Sequence, residues 1–398
     1  MNTANPLAYL SEQIESWRKA GTYQRLRVLE SACEPVCRTD GREVINLASN
    51  NYLGLANHPK LVEAALEATR KYGAGSGAVR TISGTMSLHM ELEERIARFK
   101  HVEACVVFQS GFTANAGTVS ALLSPEDHII SDALNHASII DGCRLSKAKI
   151  HVFPHRDAAA ASRILDELGG KPGRKLLITD GVFSMDGDIA PLPGLVEVAE
   201  RHGAIMMIDD AHSSGVLGRN GRGTVDHFNL HGRVHVQVGT LSKAVGVLGG
   251  YVCGSRDLID FLHHRGRPFL FSTSHPPAVV GACLAAFDLL ENEPERIETL
   301  WSNTRYFKEQ LQREGFDTGE SETPITPIMV GDAGAAHEFS RRLFESGLWA
   351  TGIGFPTVPE GKARVRAIVT ATHTREMLDR AVGILSTVGK QMSILQAA

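Results

Sequence analysis

The stretch VHVQVGTLSKAVGVLGGYVCG, residues 234–254, sets one lysine, Lys243, among glycines and small apolar residues. A lysine met at random is most often a solvated surface group. Here Val236, Val238 and Leu241 before it, and Val245, Val247 and Leu248 after it, read as buried strand edges, while Gly239, Gly246, Gly249 and Gly250 let backbone come close. An ammonium in such surroundings loses hydration and gives up its proton more readily. That is the condition for an amine that attacks carbonyl carbons as a Schiff-base nucleophile.

Working outward, the apolar runs ACVVF, HIISD, KLLITD, AIMMID, VHVQVG and GGYVCG alternate with helical patterns from residue 91 onward. This alternation predicts an α/β fold with a mainly parallel sheet between helices. In such sheets ligands collect at the carboxyl ends of the strands. The residues there are Gln109 to Thr113, Asn135 and His136, Gly181 to Ser184, Asp209 to His212, and Gly239 and Thr240 ahead of Lys243. Residues 1–55 read as an N-terminal segment with an amphipathic helix to about Gly21, and residues 56–290 as the large domain. Long charged helices and then shorter strands make residues 291–398 a smaller C-terminal α+β domain.

The glycine-rich run GAGSGAV, residues 73–79, raises the question of a dinucleotide site. Such a site needs a strand before the glycines and a helix after them. A charged helix precedes this run and turn residues follow it, so it reads as a flexible loop near a site. With 43% hydrophobic and 22% charged residues, the chain is an ordinary globular protein. Its net charge of −4 favours neither nucleic acid nor an anionic membrane, which leaves small molecules as ligands. Of the six cysteines only Cys33 and Cys37 lie close together, and no second pair completes a metal set. The first residues lack a secretory pattern, and residues 268–287, a long charge-free stretch, are too polar to cross a bilayer. The expected location is the cytoplasm.

A Schiff-base lysine points to pyridoxal 5'-phosphate, and that cofactor has definite needs. Its phosphate wants backbone donors at a helix start, which Ser110, Gly111, Phe112 and Thr113 offer ahead of TANAGTVSALL. Its pyridine nitrogen wants a carboxylate that keeps it protonated, and Asp209 ends the run AIMMI. His212 is three residues further, within reach of the ring oxygen, and His136 is a flat partner for the ring. Thr240, three before Lys243, adds a hydroxyl for the phosphate. Each feature alone has an ordinary reading as a cap or a core histidine; together they outweigh it.

The segments SNNYLGLANHP, ISDALNHASIIDG, TDGVFSMDG, DDAHSSGVLG and GTLSKAVG resemble the α-oxoamine synthases, almost continuously from about Ile45 to the C-terminus. The resemblance implies the PLP-dependent transferase fold of type I. It implies an acyltransferase that joins an amino acid, commonly glycine, to an acyl-CoA with release of CoA and with loss of carbon dioxide or, in one branch, its retention until a later non-enzymatic loss. Within the family it is strongest to glycine C-acetyltransferases, with 8-amino-7-oxononanoate synthases next. It further implies Lys243 as the cofactor lysine and catalytic base, Asp209 at the pyridine nitrogen, His136 stacked on the ring and His212 at the ring oxygen. Ser184 would lie near that oxygen, and Ser110, Gly111, Phe112 and Thr240 at the phosphate. Asn50 would lie near lysine and substrate, and Arg366 on the substrate carboxylate, although Arg364 shares its strand face and competes for that role. The family is homodimeric with shared active sites, and Ser272 and Thr273 of FSTSHPP match the pair that reaches the partner's phosphate. An aminotransferase or lyase of the same fold, and a binding protein without activity, are the rival readings.

Overall fold

The computed structural model describes residues 5–23 and 25–395. The chain divides into two compact units, a larger one of residues 50–184 and 188–300 and a smaller one of residues 1–49, 185–187 and 301–398. The sequence reading sets its boundaries at 55 and 290; the units change at 49 and 300, and the opening residues count with the C-terminal ones. The cause is a shared sheet. The strand Arg42–Asn46 pairs antiparallel with Val36–Thr39 and parallel with Leu348–Trp349, and Ile45 and Leu47 enter one apolar core with Phe307, Ile328, Phe339 and Val365. A second sheet of this unit sets Ala363–Ile368 between Ile325–Gly331 and Thr351–Ile353. The opening helix, Ala8–Lys19, has no buried residue.

The larger unit is built on seven strands: β1 (Ala104–Phe108), β2 (His128–Asp132), β3 (Lys149–Phe153), β4 (Lys175–Asp180), β5 (Ile205–Asp209), β6 (Val236–Thr240) and β7 (Gly250–Gly254). They lie in the order β1-β7-β6-β5-β4-β2-β3. Neighbours from β3 across to β6 are parallel, whereas β7 runs antiparallel to both β6 and β1. Two antiparallel pairings in succession return β1 to the common direction. Six strands therefore present their carboxyl ends along one edge.

Alternate strand residues feed two cores. Val106, Ile129, Ile178, Met207 and Val238 pack on one face with the helices Gly111–Leu122 and Ala137–Ser146. Ile130, Leu177, Met206 and Ile208 pack on the other with Ala158–Glu167 and Leu192–His202. Burial on both faces is why these strands read as unbroken apolar runs. β3 escapes the sequence reading because it is left open to solvent: Ile150 and Val152 are exposed, so its pattern carries no clear inward face. The region around Lys243 also differs from expectation. Residues 241–249 form a loop between β6 and β7, and although Leu241, Ala244 and Val245 are buried, Leu248 is exposed and Val247 half-buried, because no strand neighbour covers them.

A buried ion pair sits behind the end of β5. Lys100 Nζ donates to Asp210 Oδ2 at 2.7 Å, and both side chains are almost wholly buried. Asp210 also accepts from the backbone of Thr224, and a Cβ on Gly223, whose φ is +99°, would stand 2.2 Å from Asp210 Oδ2. Removing one partner of such a pair leaves an uncompensated buried charge. Lys100→Met is expected to lower unfolding stability by about 3–5 kcal/mol, measured by urea denaturation; a change within error would show that the pair does not brace this strand end.

Candidate active site

Asp180 and Asp209 end β4 and β5 and lie directly opposite one another in the register. Two buried carboxylates at adjacent strand ends cannot both be accommodated without help. Asp209 Oδ1 accepts from the backbone of Ala211 at 2.8 Å and Oδ2 from Asn115 Nδ2 at 2.6 Å, so among the described residues both donors are neutral. Burial, and after it the charge of Asp209, push the Asp180 carboxyl well above the usual range, while Lys243 acts in the opposite direction. Asp180 Oδ2 takes the backbone N–H of His136 at 2.7 Å.

His136 caps the helix Ala137–Ser146. Its Nδ1 accepts from the backbone of Ser138 and lies 2.7 Å from the Ser138 hydroxyl, which in turn accepts from Asn115 Nδ2 at 3.0 Å. This leaves the Nε2 side of the ring directed away from the cap, with the residue itself exposed. Surrounding protein lowers its pKa, Asp209 opposes that shift and Lys243 adds to it. Lys243, half-buried, is thus electrostatically coupled to both His136 and Asp180.

The chain after β1 turns into the helix Gly111–Leu122 through a capping box. Ser110 Oγ accepts from the backbone of Thr113 at 3.1 Å, and the Thr113 hydroxyl accepts from the backbone of Ser110 at 2.9 Å. The N–H groups of Gly111 and Phe112 remain as helix-start donors, in the conformation suited to an anion. Thr240 faces this turn: a methyl on Gly111 would meet its Cβ at 3.4 Å. Gly250, opening β7, lies closer still, since a Cβ there would stand 2.4 Å from the Ser110 carbonyl. No larger residue fits at that point.

The other expected residues are distributed as follows. His212 is buried and its Nδ1 lies 2.7 Å from the hydroxyl of buried Tyr52. Ser184 is half-buried in the loop after β4, and Asn50 Oδ1 is buried with no hydrogen-bond partner among the described residues. Ser272 is half-buried and Thr273 exposed. Their loop is held by Val79, bridged to Thr273, and by Gln109 Nε2, which donates to the Thr273 carbonyl at 2.8 Å. Arg366 belongs to the smaller unit, on Ala363–Ile368, and is half-buried. Arg364 on the same strand is buried, paired with Asp186 and donating to the Met185 carbonyl at 3.0 Å.

Three contributors escaped the sequence reading. Asn115 looks like a helix-interior residue in TANAG, Asp180 like a strand-end cap, and Tyr52 like one aromatic in a turn-rich crossing. Only Asn115, the one amide in a helix of small and apolar residues, carried a detectable signal. An orphaned buried amide oxygen, an anion cradle, an open imidazole and a buried carboxylate with neutral donors suit a flat, phosphorylated heteroaromatic ring whose nitrogen carries a proton.

The family described as aminotransferase class I and II matches residues 42–385. An 8-amino-7-oxononanoate synthase of Symbiobacterium thermophilum is 62% identical over 387 residues, covering 97% of this chain and 99% of that protein. One from Bacillus subtilis is 54% identical, covering 97% and 98%. The chain belongs to the α-oxoamine synthases, within the class I and II aminotransferases. Solved structures agree with that membership: one described as SPT with a PLP internal aldimine has TM-score 0.93 at 32% identity, covering 99% of this chain and all of the other. An 8-amino-7-oxononanoate synthase from Francisella tularensis has TM-score 0.74 at 29% identity, covering 87% and 98%. As a member of the family the protein is a pyridoxal-phosphate-dependent acyltransferase of type I fold, as the resemblance implied. Glycine C-acetyltransferase as the nearest branch is not supported, since these relatives carry the name that the sequence reading set second. Among the described residues no helix is long and apolar enough to cross a membrane.

Asp209→Asn is expected to slow α-proton exchange of the amino acid substrate by about 100-fold to 1000-fold, the scale for losing one placed electrostatic partner. Proton NMR in heavy water reads it directly; an unchanged rate would remove Asp209 from the chemistry.

Proposed function

We propose that the protein is an 8-amino-7-oxononanoate synthase, which joins alanine to a pimeloyl thioester, on CoA or a carrier protein, and releases the thiol and carbon dioxide. What carries this reading is end-to-end similarity at 62% identity to a protein of that name. Bound pyridoxal phosphate supplies the sink for the electron pair left on the amino acid's α-carbon. Asp209 holds a proton on the pyridine nitrogen, and Asn115 fixes the carboxylate for that task. Lys243 would anchor the cofactor, and its Nζ would move the α-proton.

Ser110, the N–H groups of Gly111 and Phe112, and Thr240 bind the phosphate. His136 stacks on the ring, with Nδ1 fixed by the cap of its own helix and Nε2 turned outward. His212, oriented by Tyr52, and Ser184 serve the ring oxygen. Asn50 binds near the amine and Arg366 takes the substrate carboxylate. Arg364 is a poor rival for that role because its guanidinium is buried against Asp186 and Met185. The active unit is a homodimer in which Ser272 and Thr273 complete the phosphate site of the partner subunit; exposure of Thr273 supports this.

Thiol release measured across acetyl-, hexanoyl- and pimeloyl-CoA, each with alanine and with glycine, is expected to favour pimeloyl-CoA with alanine by at least about tenfold, the worth of a few buried methylenes and one placed carboxylate. A preference for acetyl-CoA with glycine would overturn the assignment in favour of glycine C-acetyltransferase. The shared site has its own test. Inactive Lys243→Ala protein mixed with a Ser272→Ala, Thr273→Ala double variant under subunit exchange is expected to regain activity, because one site in each mixed dimer then holds both groups. No recovery would place the loop in its own subunit's site.

A further inference from the structure

His155 lies outside the residues assigned above, in the loop between β3 and the helix Ala158–Glu167. Its Nδ1 is 3.0 Å from Asp132 Oδ1 and its Nε2 is 2.7 Å from Asp188 Oδ2. Both carboxylates are nearly or wholly buried. Ionised carboxylates only accept hydrogen bonds, so both ring nitrogens must donate, and a histidine with two N–H groups is an imidazolium. The Phe183 ring stands edge-on to it at 4.3 Å between centroids. The charged groups facing the ring among the described residues are Asp132 at the end of β2, Asp188 after β4, and Arg156 beside it, whose Nη1 is 3.4 Å from Asp188 Oδ2.

Asp132 through its carboxylate, and Asp188 through its main chain, each tie down a loop. Asp132 accepts from the backbone of Leu134 at 2.9 Å and of Arg156 at 2.8 Å, which fixes the turn leading to His136. The Asp188 carbonyl accepts from the backbone of Phe183 at 3.1 Å, and Val182 bridges Ile189, which closes the stem of the loop that carries Ser184. We propose that His155, as an imidazolium, is a positioning residue that clamps these two loops together and so presents His136 and Ser184 to the cofactor. The roles of His136 and Ser184 rest on the function proposed above; the clamp itself rests on the geometry.

The sign of its pH dependence follows. Burial disfavours the charge, but the hydrogen bonds to Asp132 and Asp188 outweigh it and carry the His155 pKa from 6.5 to about 9. A group raised on folding contributes stability that is complete below its unfolded value and lost as pH rises through the folded one. The clamp holds at neutral pH and loosens above about pH 9.

The test begins on cofactor-free wild-type protein. Nitrogen-15 histidine NMR is expected to show both His155 nitrogens protonated at pH 7.5, with a midpoint near 9; a neutral ring at pH 7.5 would overturn the clamp. In His155→Asn, hydrogen exchange in residues 132–136 and 181–190 is expected to quicken while the rest of the sheet keeps its protection. On reloading, the visible circular dichroism of the bound cofactor should shrink and kcat fall by about 10-fold to 100-fold, the scale of a small misplacement, with little change in KM. Wild-type exchange and dichroism in that variant would also overturn it. Because NMR and exchange need no substrate, failure of the acyl-CoA assay with an intact clamp would refute the proposed reaction and leave the clamp standing.

Discussion

Two carboxylates share the ends of adjacent parallel strands, and much of the site is arranged around that conflict. Asp180 and Asp209 are paired in register, both buried, with like charge. The fold resolves it asymmetrically. Asp209 receives two neutral donors, one from its own turn and one from Asn115 in a neighbouring helix. Asp180 is driven toward its protonated form and accepts a single backbone N–H. Lys243 supplies a positive charge that opposes the shift at Asp180. That explains a lysine among glycines better than any surface role does.

The parallel sheet was legible because its strands are buried on both faces, which writes uninterrupted apolar runs into the sequence. The candidate residues were legible for the same reason: where every strand interior is apolar, polar residues at or just past the strand ends stand out, as His136, Asp209, His212 and Thr240 do. What stayed hidden was whatever depends on pairing across the sequence. β3 lacks the signature because its Ile150 and Val152 face solvent. The membership of residues 1–49 in the smaller unit depends on a parallel pairing with a two-residue strand some three hundred positions away, and no local pattern announces that. Asn115 and Asp180 act only through Asp209 and His136, so neither had a meaning until its partner was placed.

The choice between branches of the family failed at sequence level for a different reason. Cofactor residues are few, polar and set at strand ends, whereas acyl-chain preference is spread over apolar side chains whose individual worth is small. The motifs that carried the resemblance are those of the cofactor site. They identify the chemistry performed on the amino acid's α-carbon and are silent on the thioester. Similarity over the whole length is sensitive to the scattered positions, and the relatives it finds favour a different branch from the one the motifs suggested.

A second layer of buried charge lies behind the residues that meet the ligand. Lys100 pairs with Asp210, the residue after Asp209, and His155, with Arg156 beside it, pairs with Asp132 and Asp188, which flank the loops bearing His136 and Ser184. Buried pairs of this kind add little net stability compared with apolar packing. Their effect is directional: each fixes a turn at the point where a strand stops and hydrogen bonding by the sheet no longer constrains the backbone. Strand ends are where this fold must place its chemistry, and they are also where the sheet's own ladder gives out. Charged clamps at those turns supply the rigidity the ladder cannot, so the geometry of the site is set as much by ions that never touch a ligand as by the residues that do.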